Sequence, residues 1–146
     1  MISVRQLLDR KGRQIFSIAP GDAVLAAIRL MAERHVGALL VMEGDTLAGI
    51  VSERDYARKV ILMGRSSADT PVRDIMSTPV VTVQPETPVE KCMQIVTERR
   101  VRHLPVVEDE AVLGVLSIGD LVKWVISAQE ETITQLQNYI SGKYPA

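Results

Sequence analysis

The chain has 146 residues, 17 Lys and Arg against 18 Asp and Glu for a net charge of −1, and is 47% hydrophobic but only 3% aromatic. That length holds one compact core, or two small ones sharing an interface, and the packing must be aliphatic. The charge excludes the basic excess or stripe of a nucleic-acid footprint, and no apolar run approaches the length of a membrane span.

The N-terminal stretch MISVRQLLDRKGR lacks the apolar core of a signal peptide. Together with a single cysteine, Cys92, which excludes an intramolecular disulfide, this gives the expectation of a cytoplasmic protein. Residues 1–14 read as a lead-in helix or loop. "IFSI" (Ile15–Ile18) is a short strand of β-formers. Pro20 and a candidate N-cap, Asp22, then introduce a stretch with helical spacing at Val24, Ala27, Ile28 and Met31. Strands "ALLVME" and "LAGIVS" follow, separated by Gly44-Asp45, and a second helix starts after Ser52. Gly64 to Thr70 (GRSSADT) is a linker, and residues 64–79 carry linker and a second lead-in.

The same order then repeats. "VVTV" (Val80–Val83), candidate N-cap Thr87, a helical stretch at Val89, Cys92, Met93 and Val96, strands "HLPVVE" and "VLGVLS", and a helix after Ser117 complete a second β-α-β-β-α unit. Residues 15–61 slide onto 80–126 at a constant shift of 65 without a gap, with identities that include Pro20/Pro85, Val36/Val101, Val41/Val106 and Gly49/Gly114. Self-similarity at a fixed shift means one supersecondary unit stacked on a copy of itself. The lead-ins repeat too, "SVRQLL" (Ser3–Leu8) with "PVRDIM" (Pro71–Met76), at a shift of 68. The units are therefore 15–63 and 80–126, with an extension over 127–146. In that extension Leu121, Val125, Ile133, Leu136 and Ile140 continue an apolar stripe until Gly142, giving a helix of about 23 residues and roughly 34 Å. Its surplus stripe either meets a partner, such as a second copy, or packs back on its own domain. Trp124, on the same helix, reads as core or dimer packing, and Cys92 as a small core residue.

The most informative repeat is the turn "GIVSERD" (Gly49–Asp55) returning as "GVLSIGD" (Gly114–Asp120). Ser-x-x-Asp at a helix start forms a capping box. The same geometry also presents a helix N-terminus to phosphate, and a carboxylate able to accept the hydroxyls of a ribose. Catalysis by a Ser-His-Asp arrangement is disfavoured, because the histidines do not repeat with the turn: His35 aligns with Arg100 and His103 with Ala38. Two histidines and Cys92 likewise make a poor zinc set. Arg34, Arg99 and Arg100 fall at helix ends, where cations complement the dipole.

Two such units, each ending in Gly-hydrophobic-hydrophobic-Ser-x-x-Asp, together with "VRDIMSTPVVTVQPETPVEKCMQIVTERRVRHLPVVE", resemble a tandem pair of cystathionine β-synthase (CBS) domains, a Bateman module, from about Val4 to Ile126. The resemblance implies an α+β fold in which two CBS units pack about a pseudo-twofold axis, and two clefts for adenosine-containing ligands. It implies that Asp120 and Ser117 take ribose and phosphate in one cleft, with Arg102 and His103 near phosphate and the backbone around Ile15 and Phe16 framing the base. It implies the same of Asp55 and Ser52 in the other, framed by Thr78, Pro79 and Val80. There Gly37 and Ala38 replace the Arg102–His103 pair, and Arg54 either compensates as a phosphate fork or makes a surface ion pair. The function so implied is a non-catalytic sensor of AMP, ADP, ATP or NAD(H), with no required cofactor. It would act as a homodimer on a regulated protein supplied in trans. The alternative is a ligand-free structural or protein-interaction module.

Overall fold

The structure, a computed structural model, describes residues 2–141. Helix α1 (Val4–Lys11) opens on a capping box between Ser3 and Gln6. The first unit follows as β1 (Ser17–Ile18), α2 (Val24–Arg34), β2 (Ala38–Glu43), β3 (Thr46–Ser52) and α3 (Glu53–Tyr56), which continues as a π turn over Ala57–Ile61. A short 3₁₀ turn, Val72–Asp74, precedes the second unit: α4 (Val89–Arg99), β4 (His103–Glu108), β5 (Ala111–Ser117) and α5 (Ile118–Ile140). The architecture is α+β, with a three-stranded sheet ordered β1-β2-β3 and a two-stranded sheet β4-β5.

Both hairpins share one register and one bulge, between Val41 and Met42 and between Val106 and Val107. The first strand does not repeat. "IFSI" pairs only through Ser17 and Ile18, and "VVTV" is reduced to a single parallel bridge, Val83 to Val106. Position 105 explains the difference. In the first unit Leu40 N–H donates to the Phe16 carbonyl (3.2 Å), whereas its counterpart Pro105 has no N–H to give.

The two lead-ins are exchanged. Val4, Leu7 and Leu8 of α1 are buried in the core of the second unit, with Val89, Cys92, Leu104 and Leu116. Val72 and Ile75 of the second lead-in are buried in the core of the first, with Val24, Met31, Leu39 and Val51. This exchange also corrects the expected helix caps. Asp22 accepts from Ala19 N–H and Thr87 from Gln84 N–H, so each closes the preceding turn. The N-cap positions are Ala23 and Pro88, without side-chain caps. Instead the first helical N–H of α2 donates to the Thr70 carbonyl and that of α4 to the Ile2 carbonyl, so the residues entering the exchanged lead-ins satisfy the ends that capping side chains would serve.

The exchange explains the repeated glycine as well. A Cβ on Gly114 would stand 2.9 Å from Leu8 Cδ2, and one on Gly49 would stand 2.7 Å from Met76 Sδ. Leu8 and Met76 are the same lead-in position, each laid flat on a hairpin backbone that only glycine leaves bare.

Helix α5 has the 23 residues expected of it, but Gly142, the expected stop, lies outside the described residues. Leu121 is buried and Trp124 packs on the core, whereas Ile126, Ile133, Leu136 and Ile140 are exposed.

Candidate functional site

Both repeated turns form complete capping boxes. Ser52 Oγ accepts from Asp55 N–H, and Ser52 N–H donates to Asp55 Oδ2 (2.9 Å). Ser117 and Asp120 make the same exchange, with 2.7 Å from Ser117 N to Asp120 Oδ2. The rest of each carboxylate is handled differently. Asp55 Oδ1 meets Lys59 Nζ at 3.2 Å and Ser77 Oγ at 3.4 Å. On Asp120, Lys11 Nζ binds Oδ2 at 2.6 Å while also donating to the Val115 carbonyl. Among the described residues Asp120 Oδ1 has no hydrogen-bond partner.

Each turn opens on a cleft between the units. The smaller, of about 410 Å³, lies between α1, the end of α2 and β5, and is walled by Lys11, Phe16, Arg34, His35, Val115 and Ser117. The larger, of about 600 Å³, lies between α3 and the segment joining α4 to β4, and brings Ser52, Asp55 and Pro79 to Val101 and Arg102. Gly37, Ala38, Ile50, His103 and Ser117 line both, so the clefts meet at the centre of the molecule. Their walls correspond at the repeat shift: Phe16 with Val81, His35 with Arg100, Gly37 with Arg102 and Val115 with Ile50. Both volumes suit a small ligand.

The CBS domain model matches residues 4–61 and again 72–127. The chain belongs to the CBS-domain family. It is 45% identical over 128 residues to the mitochondrial CBS domain-containing protein CBSX3 of Arabidopsis thaliana, a match covering 84% of this chain but only 62% of that longer protein. Among solved structures it resembles a protein with CBS domains from Burkholderia ambifaria (50% identity, TM-score 0.84, 88% of this chain and 96% of that one). It also resembles a hexameric CBS-CP12 protein from bloom-forming cyanobacteria (29% identity, TM-score 0.74, 84% and 70%). CBS pairs are as a class regulatory rather than catalytic modules. No helix among the described residues is long and apolar enough to cross a membrane.

Within this CBS pair the expected site residues divide as follows. Ser117, His103 and Phe16 line the smaller cleft. Asp120 stands behind that wall, joined to it through Lys11 and Ser117, and Ile15 lines neither cleft. Ser52, Arg54, Asp55, Pro79 and Val80 line the larger cleft, and Thr78 does not. Arg102 departs from expectation. It lines the larger cleft and not the smaller, on the segment between α4 and the start of β4 at His103.

This reverses the charge balance expected of the two clefts. The larger holds Arg54, Arg58, Arg100 and Arg102, and none of the four has a carboxylate partner among the described residues. The smaller holds Lys11, engaged by Asp120, and Arg34, whose guanidinium lies 5.3 Å from the Phe16 ring centroid in a cation–π contact. Sequence reasoning missed Arg58, Lys11 and the cleft positions of Arg34, His35 and Arg100. For Arg58 a signal existed, since it follows Arg54 by four residues and so shares a helical face. For Arg100, a left-handed residue (φ +54°) closing α4, the dipole reading covered the ligand-facing one.

Electrostatics follow the same division. Burial raises the Asp120 pKa, but the Lys11 and Ser117 contacts outweigh it and hold the carboxyl below its ordinary value. Burial lowers the His103 pKa, and Lys11 and Arg102 add to this against the opposing pull of Asp120. His103 is thus a neutral imidazole at neutral pH, shared between the clefts. Cys92, buried in the second core, has its thiol pushed up to about 11 by burial, which makes it inert packing.

Proposed function

We propose that this chain is a non-catalytic sensor of adenosine-containing ligands, AMP, ADP, ATP or NAD(H), bound in the clefts between its two CBS units. The observation that carries the reading is that each Ser-x-x-Asp turn opens on a cleft walled by both units. A ligand there touches both at once, so its binding energy acts on the angle between them. Asp55 lines the larger cleft, and its Oδ1 stands outside the capping box with Lys59 at 3.2 Å and Ser77 at 3.4 Å, so it retains acceptor capacity for a ribose hydroxyl. Aliphatic side chains, Ile50 with Val80 and Val81 in the larger cleft, supply faces for a base.

The output surface in this reading is α5. Its exposed Ile126, Ile133, Leu136 and Ile140 recur at spacings of seven, three and four, the stripe of a helix that pairs with another. We take the partner to be a second copy of the chain, with a regulated protein bound in trans. The hexameric CBS-CP12 neighbour supports self-association of this architecture.

Thermal melting with and without AMP, ATP, NAD and NADH tests the sensor. A ligand at a hundred times its dissociation constant adds about 2.7 kcal/mol, which raises the midpoint of a chain this size by roughly 5–10 °C. Asp55→Asn should weaken the responding ligand roughly ten- to a hundredfold, through loss of a charge-assisted contact. A second reading, a ligand-free interaction module, is favoured by the completeness of both capping boxes. Under it no ligand moves the midpoint, and Asp55→Asn only lowers it.

A further inference from the structure

We propose that the larger cleft is selective for a nucleoside polyphosphate, with two or more consecutive phosphates held between Arg54 and Arg58 on one wall and Arg100 and Arg102 on the other. This rests on the sensor reading above and adds the class of ligand to it.

Four arginines line this one cleft in a chain whose net charge is −1. Its carboxylates are Glu53 and Asp55, and Asp55 is already offset by Lys59 at 3.2 Å. Taking Glu53 from the four arginines leaves a formal excess of three positive charges around about 600 Å³. A phosphate monoester carries roughly −1.5 to −2 and cannot balance that excess. Two or three linked phosphates can. Unmatched like charges around a partly enclosed space repel one another and favour whatever counter-ion fits between them.

Acceptor geometry leads the same way. A guanidinium binds phosphate best as a fork onto two oxygens. One terminal phosphate has three such oxygens, too few for four forks arriving from two walls. The turn itself cannot take over the work, since Ser52 N–H and Asp55 N–H are both engaged within the capping box. The two walls also belong to different units. Arg54 and Arg58 lie on α3 and its π continuation, and Arg100 and Arg102 on the segment between α4 and β4. A polyphosphate tail therefore ties one unit to the other, and a monophosphate satisfies one wall at most. In the smaller cleft Arg100 is replaced by His35 and Arg102 by Gly37, so the selectivity belongs to one cleft alone.

The test is calorimetric titration of the full chain with AMP, ADP, ATP and inorganic tripolyphosphate, at two ionic strengths. ATP should bind at least roughly tenfold more tightly than AMP, and lose affinity more steeply with salt. Arg58→Gln and Arg102→Gln should each bring ATP down toward the AMP value, costing ATP more than they cost AMP. Both side chains are exposed and have no carboxylate partner among the described residues, so both variants should melt at or above the parent midpoint, which separates lost binding from lost folding. AMP binding as tightly as ATP would overturn the polyphosphate proposal and leave the adenosine sensor standing. Tripolyphosphate binding as tightly as ATP would uphold the arginine site and overturn the adenosine reading. No binding by any of the four compounds would overturn both.

Discussion

The two clefts are built from the same unit, the same turn and the same bulged hairpin, yet they face a ligand with opposite preparation. In the larger, Asp55 is held by a neighbour on its own helix, Lys59, and the surrounding arginines have no carboxylate partner among the described residues. In the smaller, Asp120 is held by Lys11, which arrives from the far end of the chain and also grips the Val115 carbonyl. Lys11 does in cis what a ligand would have to undo. Duplication copied the turn, and the lead-ins then made the copies unequal: the first carries Lys11, which reaches across to Asp120, and its counterpart at the shift of 68 is Pro79, which has no charge to offer. A repeated motif thus predicts repeated geometry more safely than repeated chemistry.

That contrast can be broken at its anchor. Leu8 is fully buried and holds α1, and therefore Lys11, in the second unit, while its counterpart Met76 is only half-buried. Leu8→Ala should cost about 2–5 kcal/mol, as other large-to-small core changes do, and Met76→Ala distinctly less. Urea denaturation measures both, and equal losses would mean the lead-ins are not the source of the asymmetry.

A smaller change sharpens the contrast directly. Lys11→Met removes the cis partner of Asp120 and should cost about 1 kcal/mol or less, as partly exposed ion pairs do. It should strengthen adenosine binding at the smaller cleft by roughly tenfold, read as a second binding event in calorimetry. An unchanged titration would show that Lys11 does not guard that cleft.

The smallest effect concerns the residue both clefts share. Because the His103 pKa is lower folded than unfolded, the unfolded chain binds the extra proton first. The stability penalty begins as pH falls below about 6.5 and stops growing once pH passes below the folded-state pKa. Melting between pH 8 and 5 should show a shallow loss that His103→Gln flattens. A parent profile as flat as the variant's would remove His103 from the account.

Much of this was legible in the residues. The shift of 65, the change of periodicity inside each unit and the Ser-x-x-Asp turns gave two β-α-β-β-α units, and both capping boxes formed as their spacing required. The missing first strand of the second unit was legible in principle, since Pro105 stands where Leu40 donates. The caps of α2 and α4 were not, because the carbonyls that serve them come from Thr70 and Ile2, which immediately precede the exchanged lead-ins. Nor was the gathering of four arginines. Arg54 and Arg58 share a helical face by local rule, but Arg100 and Arg102 lie more than forty residues away and join them only where the units meet.

The sequence by itself determined the units, their order, the hairpins, the turn and the long last helix, because hydrophobic period and capping chemistry act over a few residues. Only the tertiary structure decided which lead-in serves which core, which cleft gathers the four arginines, and that Lys11 engages Asp120. Those are contacts across the interface between the units, and nothing in a local pattern records which charge will arrive from the other side.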